Sequence, residues 1–390
     1  MIKMYTARTS EIDEFEEAIT KIKSQIDFTK LKKHTSGIIL CHMDFIESGM
    51  LLALCEALPF EIIGMTSMAN ACSQGFGFFD LSLTVLTSDE VSFTVGMTNG
   101  INRDNYEDEI TKLYKNMRGK VKEDPSLIIS FMPFVRDLAG YEAVAAADKA
   151  VGGIPIWGSV SSSLNFNYDT VKTICNGNHE QSGVAMLFLN GEVNPRYIVK
   201  SLPEQNISKT RGIITKSNGA ILQEINDIPV SEYFGNMGIM LTLENLRSTP
   251  LVIYYSRSTE PITLAFYTAF DDGSILMGGE VPVGASVALG GIDEDTIIAS
   301  CNMGIDEILK IEDRQAVLML PCVTRGIMML LDTEGEMKLI RERLSKEEVP
   351  FVMGYAGGEI CPMPIGDTTA LNEGKLRNCF HNYTFNACVL

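Results

Sequence analysis

The segment PFVMGYAGGEI (Pro350–Ile360) runs from an apolar strand directly into a glycine-rich turn. Glycine has no Cβ and accepts positive φ, so a turn of this kind lets backbone amides point at a ligand. Glu359 ends the turn, and His381 lies in the next strand, FHNYTF (Phe380–Phe385). A carboxylate, an imidazole and bare backbone at strand ends predict a small-molecule site. The alternative is a tight β-turn with a solvated glutamate and a capping histidine.

One order of elements occurs three times along the chain: strand, helix, strand, glycine turn and further strands. The three repeats begin at the strands GIILCHM (Gly37–Met43), SLIISFM (Ser126–Met132) and AVLMLPCV (Ala316–Val323). Their turns begin at Gly64, Gly158 and Gly354, which we expect to occupy equivalent places at strand ends. We also expect an amphipathic helix at Thr9–Gln25 and, in the third repeat, a helix around Gly326–Leu344.

The strands are mostly continuous apolar runs, which is typical of sheets covered on both faces. We therefore predict an α/β fold of layered sheets flanked by helices, with two similar lobes built from repeated strand–helix–strand–Gly-turn–strand units. The segment Ser201–Gly212 is polar and broken by Pro203, so we expect an N-terminal domain at 1–203 and a C-terminal domain at 204–390. The first two repeats would form one lobe, and the third would join a β-meander at Leu251–Leu276.

Composition excludes several classes of function. The 390 residues are 45% hydrophobic and 21% charged, as in ordinary globular proteins. A net charge of −18 argues against binding to nucleic acid or to an anionic membrane surface. The longest apolar stretch, Ala316–Leu331, is interrupted by Pro321 and Arg325 and is too short to span a bilayer. Nine cysteines, mostly in apolar runs, and the lack of a signal peptide favour a cytoplasmic protein with reduced thiols.

Catalytic and cofactor motifs are missing from the sequence. It has no Walker A motif, no Gly-x-Ser-x-Gly elbow, no His-Glu-x-x-His and no paired Cys-x-x-Cys, so we expect no catalytic residue, metal or cofactor. One weak metal-site alternative rests on neighbours at a strand end: Cys41, His42 and Asp44. Cys361, which precedes a proline, is a second alternative as an axial thiolate for haem. A third is nucleophilic catalysis by Cys322 with His381, although a thiol in an apolar strand stays protonated.

Three segments resemble the C-terminal FIST domain: CVTRG (Cys322–Gly326), VPFVMGYAGGEI (Val349–Ile360) and FHNYTF (Phe380–Phe385). That family shows a strand ending in Cys-x-x-Arg, a Gly-Phe-x-x-x-Gly-Glu-Ile turn and a Phe-His-Asn-x-Thr strand. The turn GMTS (Gly64–Ser67) is similar to the Gly-Cys-Ser-Ser turn of the N-terminal FIST domain. Met65 stands where a cysteine is common and Tyr383 where a glutamine is usual, and both differences bear on the identity of the ligand.

The resemblance covers nearly the whole chain after about residue 30, and it implies a sensory protein of bacterial signal transduction. The ligand that it implies is a small molecule, with amino acids or related metabolites as candidates. The partners that it implies are signalling proteins such as a histidine kinase or a cyclase. A haem-binding nitric-oxide sensor is the alternative within the family, and a thiol-dependent enzyme is a more distant one.

We predict that Arg325 and Glu359 form a ligand clamp. If their strands are neighbours in one sheet, both charges emerge at the same edge. A guanidinium then binds the carboxylate of an amino acid, and the glutamate binds its ammonium group. The alternative is that Arg325 and Glu359 pair with each other. The other predicted ligand-binding residues are His381, Asn382, Tyr355, Gly357, Gly358, Thr66, Ser67, Ser159 and Ser161.

Overall fold

A computed structural model describes residues 1–135, 137–163, 170–254, 261–329, 335–363 and 376–390. Within these ranges the chain forms four sheets and ten α-helices.

The described strands, in chain order, are β1 Lys3–Thr9, β2 His34–Cys41, β3 Glu61–Thr66, β4 Asn70–Cys72, β5 Gly75–Gly77, β6 Leu81–Ser88, β7 Ser92–Met97, β8 Leu127–Met132, β9 Ile156–Val160, β10 Thr173–Cys175, β11 Asn178–Glu180, β12 Ala185–Asn190, β13 Arg196–Lys200, β14 Gly212–Asn218, β15 Ile221–Ile225, β16 Ile228–Pro229, β17 Leu251–Tyr254, β18 Ile262–Leu264, β19 Phe266–Ala269, β20 Ile275–Met277, β21 Ser286–Leu289, β22 Val317–Met319, β23 Phe351–Gly354, β24 Glu359–Met363, β25 Arg377–His381 and β26 Phe385–Val389. The described helices are α1 Phe15–Ser24, α2 Asp44–Glu47, α3 Met50–Glu56, α4 Tyr106–Arg118, α5 Gly140–Val151, α6 Val230–Asn236, α7 Leu243–Ser248, α8 Glu294–Lys310, α9 Val323–Met328 and α10 Gly335–Lys346. Short 3-10 helices lie at Phe28–Lys30 and Glu204–Asn206.

Each repeat forms the centre of one six-stranded sheet. Its first two strands run parallel, as β2–β3, β8–β9 and β22–β23. A later strand returns antiparallel to the first, as β6, β12 and β26. A strand that precedes the repeat in the chain then pairs with the returning strand, as β1, β7 and β13, although β13 is separated from the third repeat by the strands of the fourth sheet. The prediction of an α/β fold with layered sheets, flanking helices and repeated units is therefore confirmed.

Each repeat also extends the sheet of another repeat with a hairpin. The β4–β5 hairpin of the first repeat pairs with β23 of the third, and β10–β11 of the second repeat pairs with β3 of the first. The β24–β25 hairpin of the third repeat pairs with β9 of the second. The exchange is cyclic, so the second half of the chain completes a sheet of the first half. The domain boundary between residues 203 and 204 stays a prediction.

Strand pairing confirms that the turn glycines of the three repeats are equivalent. Gly64, Gly158 and Gly354 each face a residue of the incoming hairpin. Those facing residues are Ile174, Ile360 and Asn70, respectively. A Cβ atom at Gly158 would overlap the carbonyl oxygen of Ser130, which shows how closely β9 approaches β8. Glycine is required there by close approach of backbone to backbone.

A shared core lies where the three six-stranded sheets face one another. Leu40, Phe131 and Leu318 come from one sheet each, and all are buried in this core. Trp157 is buried in it as well, and its indole N–H donates to Oδ1 of Asn386 in another sheet at 2.9 Å. Separate apolar clusters cover the outer faces beneath the helices. Burial on both faces explains why these strands are almost continuously apolar in sequence.

The fourth sheet has the order β18-β17-β21-β14-β15-β20-β19, with β16 beside β15. It contains the described part of the predicted meander; residues 255–260 lie outside the described ranges. Its core includes Phe234 and Leu264, and it also takes in Met363 and Cys379 from the β24–β25 hairpin. The third repeat therefore packs against this sheet.

Two predicted helices differ from the structure. The helix expected at Thr9–Gln25 begins only at Phe15, because the residues up to Thr9 pair with β6 as strand β1. Sheet pairing outweighs the local helical periodicity there. The helix expected around Gly326–Leu344 is represented by α9 and α10; residues 330–334 lie outside the described ranges.

Candidate ligand-binding site

The turns of the three repeats are hydrogen-bonded to one another at one end of the shared core. The amide of Gly357 donates to the carbonyl of Val160 at 2.8 Å. The amide of Ser162 donates to the carbonyl of Thr66 at 3.0 Å. The three repeats thus bring their glycine turns to one place, as the cyclic hairpin exchange requires.

A pocket of about 160 Å³ opens beside the turns of the first and second repeats. Its lining residues are His42, Met43, Asp44, Glu47, Thr66, Ser67, Ser162, Ser163 and Thr170. Two of them, Thr66 and Ser67, belong to the predicted ligand-binding set, and both are buried. The pocket is smaller than the sites of drug-sized ligands, so its volume suits a small metabolite.

One wall of the pocket is acidic. Asp44 and Glu47 lie three residues apart on α2, so their side chains share one side of this short helix. Within the described parts of the chain, neither carboxylate forms an ion pair with a lysine or arginine. The Nδ1 atom of His42 lies 3.2 Å from Oδ2 of Asp44, and its ring packs edge-on against Phe79. The wall therefore presents negative charge to a bound molecule.

Asp44 has no acidic counterpart at the equivalent described positions of the other two repeats. The strand registers place Asp44, Val135 and Arg325 at equivalent points beyond the first strand of each repeat. Val135 is apolar, and Arg325 is wholly buried. Among the three equivalent positions, an acidic side chain lines a pocket in the first repeat alone.

The predicted clamp of Arg325 and Glu359 is not formed. Glu359 begins β24, which lies in a different sheet from β22, so the two strands are not neighbours. Arg325 instead binds Glu336, with Nε and Nη2 lying 3.0 and 2.6 Å from Oε1. Its remaining donors bind the carbonyls of Ile297 and Tyr383 and the hydroxyl of Ser300. All five N–H groups of the guanidinium are used, and none is left for a ligand.

Tyr355 and Asn382 also contact protein groups rather than a pocket. The Tyr355 hydroxyl donates to Oε2 of Glu336 at 3.0 Å. The Oδ1 atom of Asn382 accepts from the amide of Ala265 at 3.0 Å, and the backbone N–H of Asn382 donates to the carbonyl of Thr263. Asn382 thus joins the third repeat to the eight-stranded sheet.

Glu359 and His381 do come together, as predicted. They face each other on β24 and β25, and Ser159 faces Glu359 from β9. Facing residues of neighbouring strands have Cβ atoms about 4.5–5.5 Å apart. Oε2 of Glu359 accepts from the amide and the hydroxyl of Thr384, at 3.2 and 2.8 Å. Among described residues, Oε1 of Glu359 and both ring nitrogens of His381 have no hydrogen-bond partner, although both side chains are wholly buried.

Burial keeps both of these groups neutral near pH 7. Burial raises the pKa of Glu359 to about 8, and hydrogen bonds from Thr384 offset part of that rise. Burial lowers the pKa of His381 to about 4, with a smaller opposing effect from the backbone of Cys361. Burial likewise raises the pKa of the Cys322 thiol, and the nearby Glu359 raises it further. A thiol in that state is a poor nucleophile.

The remaining predicted residues lie in and around the turns. Ser161 donates from its hydroxyl to the carbonyl of Met132 at 3.2 Å. A Cβ atom at Gly357 would come within 2.7 Å of the Ser161 carbonyl oxygen, and one at Gly358 would overlap the ring of Phe380. These glycines therefore serve close packing of the turn. Cys361, the alternative considered as an axial thiolate for haem, lies within β24 and is buried in the shared core.

The sequence analysis missed two features of the site. Glu336, the partner of Arg325, was not among the predicted residues. The acidic wall was considered only as part of a metal site, through Asp44 and His42. In the described ranges, no three His, Cys, Asp or Glu side chains are grouped as a metal site requires. The spacing of Asp44 and Glu47 directly after a buried strand was the available signal.

The family comparison matches the FIST N domain at residues 35–228 and the FIST C domain at residues 231–362. The chain therefore belongs to the FIST family. FIST domains are recognised as sensory domains that bind small ligands in signal transduction.

No curated protein matches the chain. Among solved structures, cyanuric acid hydrolase from A. caulinodans is 9% identical, covers 48% of this chain and 71% of its own, and has a TM-score of 0.25. A second cyanuric acid hydrolase structure is 9% identical, covers 75% of this chain and 100% of its own, and has a TM-score of 0.26. No helix in the described ranges is long and apolar enough to cross a membrane.

Proposed function

We propose that this protein senses an amine-bearing metabolite of the amino-acid class and binds it in the pocket beside the first and second turns. In this proposal it acts in bacterial signal transduction with a partner such as a histidine kinase or a cyclase. Membership of the FIST family supports the sensory role. The acidic wall formed by Asp44 and Glu47 is the observation that carries the proposed ligand class.

Charge favours an ammonium group in this pocket. Hydrogen bonds between an ammonium and a carboxylate are roughly twice as strong as neutral ones. Asp44 is half-exposed at the pocket wall, with 48% of its side chain accessible, so a ligand reaches it without unfolding the chain. The imidazole of His42 and the serine and threonine hydroxyls that also line the pocket are hydrogen-bonding partners for the remaining polar atoms of the ligand.

Size and geometry favour a small ligand. Thr66, Ser67 and Ser162 are buried and fixed by hydrogen bonds within the turns, so their wall is rigid. A rigid wall lowers the entropic cost of binding. An amino acid with a short side chain suits a pocket of about 160 Å³.

A thermal-shift panel on the full chain tests the ligand class. The panel compares L-alanine with ethylamine, which lacks the carboxylate, and with propionate and N-acetyl-L-alanine, which lack the ammonium. The remaining amino acids complete the panel, because the acidic wall does not fix the side chain. A ligand at about 100 times its Kd adds about 2.7 kcal/mol of stability.

We expect stabilisation only by compounds with a free amine. If propionate or N-acetyl-L-alanine raises the melting temperature as much as L-alanine does, the acidic wall does not select the ligand. If no amine raises the melting temperature, the proposed ligand class for this pocket is wrong.

A further inference from the structure

Two pocket hydroxyls share one hydrogen-bond acceptor outside the pocket. The hydroxyl of Ser67 lies within hydrogen-bond distance of two backbone carbonyls, that of Ala69 at 2.8 Å and that of Tyr355 at 3.0 Å, and shares its one proton between them. The hydroxyl of Ser162 donates to the same carbonyl at 2.6 Å. Ser67 belongs to the first repeat, Ser162 to the second and Tyr355 to the third, so this carbonyl lies where the three turns meet.

The side chain of Tyr355 leads away from the pocket to a buried ion pair. Its hydroxyl donates to Oε2 of Glu336, and the other oxygen of Glu336 binds Arg325. Tyr355, Glu336 and Arg325 are all wholly buried. In such surroundings an unpaired polar group is costly, so the members of this network hold one another in place.

The network ends on two helices at the outside of the third repeat. Glu336 lies in the first turn of α10. Arg325 binds the carbonyl of Ile297 and the hydroxyl of Ser300 in α8, at 3.0 and 2.9 Å. Farther along, Arg343 of α10 donates to Asn302 and Asp306 of α8 at 2.9 and 2.7 Å. The two helices therefore form a pair, and the network contacts both of them near their N-terminal ends.

We infer that Tyr355 couples the pocket to the α8–α10 helix pair, and that this coupling carries the ligand signal to the surface. This inference rests on the proposed function, because it takes the pocket as the ligand site. A ligand that engages the Ser67 or Ser162 hydroxyl changes the hydrogen bonds at the Tyr355 carbonyl. Since the same residue holds Glu336 through its phenol, a shift of Tyr355 perturbs the ion pair that joins the helices.

Hydrogen exchange tests the coupling without any ligand. Exchange rates of the α8 and α10 amides are measured in the full-length wild type, Ser162→Ala, Tyr355→Phe and the double variant. Amide exchange reports the local opening of each helix. Ser161→Ala is the matched control, because Ser161 is a buried neighbour whose hydroxyl binds Met132 and not Tyr355.

We expect Ser162→Ala to raise exchange in α10 about two- to ten-fold, the effect of one lost hydrogen bond. In the Tyr355→Phe background the same change should have no further effect, because the phenol contact that transmits it is gone. Ser161→Ala should leave both helices unchanged. The inference is overturned if Ser162→Ala leaves α8 and α10 unchanged, or if its effect is equally large in the Phe background. Because no ligand is used, this result is independent of the ligand panel.

Discussion

Glu359 makes the stability of the protein depend on pH, and its replacement by glutamine should remove that dependence. The pKa of Glu359 is raised by burial from an ordinary 4.5 to about 8, so the unfolded chain releases this proton at lower pH than the folded chain. The protonated group is fully stabilising below pH 4.5, and its contribution is lost as pH rises toward 8. Each pH unit between the two pKa values corresponds to about 1.36 kcal/mol. The free energy of unfolding therefore falls by roughly 3–5 kcal/mol across this window.

Glu359→Gln keeps the shape and neutrality of the protonated side chain, and its carbonyl oxygen still accepts from Thr384. We expect the variant to be less stable than, or equal to, wild type at pH 5 and more stable at pH 8.5. Guanidinium denaturation at pH 5, 6, 7, 8 and 8.5 measures the difference, with exposed Glu192→Gln as the control that should follow wild type. Parallel pH profiles for wild type and Glu359→Gln would show that Glu359 ionises normally, and would refute the reasoning from burial.

Two further predictions concern the same interior and the repeat architecture. Burial lowers the pKa of His381 from 6.5 to about 4, so the stability that the neutral imidazole contributes is lost as pH falls between these values. His381→Gln should remove roughly 3 kcal/mol of this acid destabilisation, so its denaturation midpoint should change less than that of wild type from pH 6.5 to 4. An unchanged slope of midpoint against pH would contradict this. Gly158→Ala should lower the free energy of unfolding by about 1–3 kcal/mol or more, because the new Cβ would overlap the Ser130 carbonyl. Gly235→Ala in α6, where the space around the residue is open, should raise the free energy of unfolding by up to about 1 kcal/mol. Melting temperatures that shift in the same direction for both variants would contradict this prediction.

The repeat could be predicted because its signals are local. Apolar strands and turn glycines recur at matching places, and the pairing of Gly64, Gly158 and Gly354 follows that order. The hairpin exchange could not be predicted. β4 and β5 are only three residues long, too short for a period, and their partner β23 lies far along the chain. Such pairing is decided by tertiary fit, which a local pattern does not contain.

Only those parts of the site that depend on neighbouring strands of one hairpin could be predicted from the sequence. Glu359 and His381 could be placed together because Glu359 begins one strand of a hairpin and His381 ends the strand that pairs with it. The partner of Arg325 could not be predicted, because a guanidinium can bind any carboxylate and the sequence does not show which one lies close to it. Glu336 is the partner because the packing of α10 against α8 brings Glu336 to Arg325, whereas Glu359 lies in another sheet. The role proposed for Asp44 and Glu47 depends on the turn of the second repeat, which lines the same pocket with Ser162 and Ser163.

The central claim is that Asp44, on the acidic wall, binds the amine of the ligand. Isothermal titration of wild type, Asp44→Asn, Glu359→Gln and the exposed control Asp271→Asn tests it, using the amine that stabilises wild type most in the panel. Loss of one charge-assisted hydrogen bond of about 1.5–3 kcal/mol corresponds to a ten- to hundred-fold weaker Kd. We expect that loss in Asp44→Asn alone, with Glu359→Gln and Asp271→Asn binding as wild type does. Unchanged binding by Asp44→Asn, together with loss in Glu359→Gln, would contradict the account and place the ligand at the buried Glu359 instead.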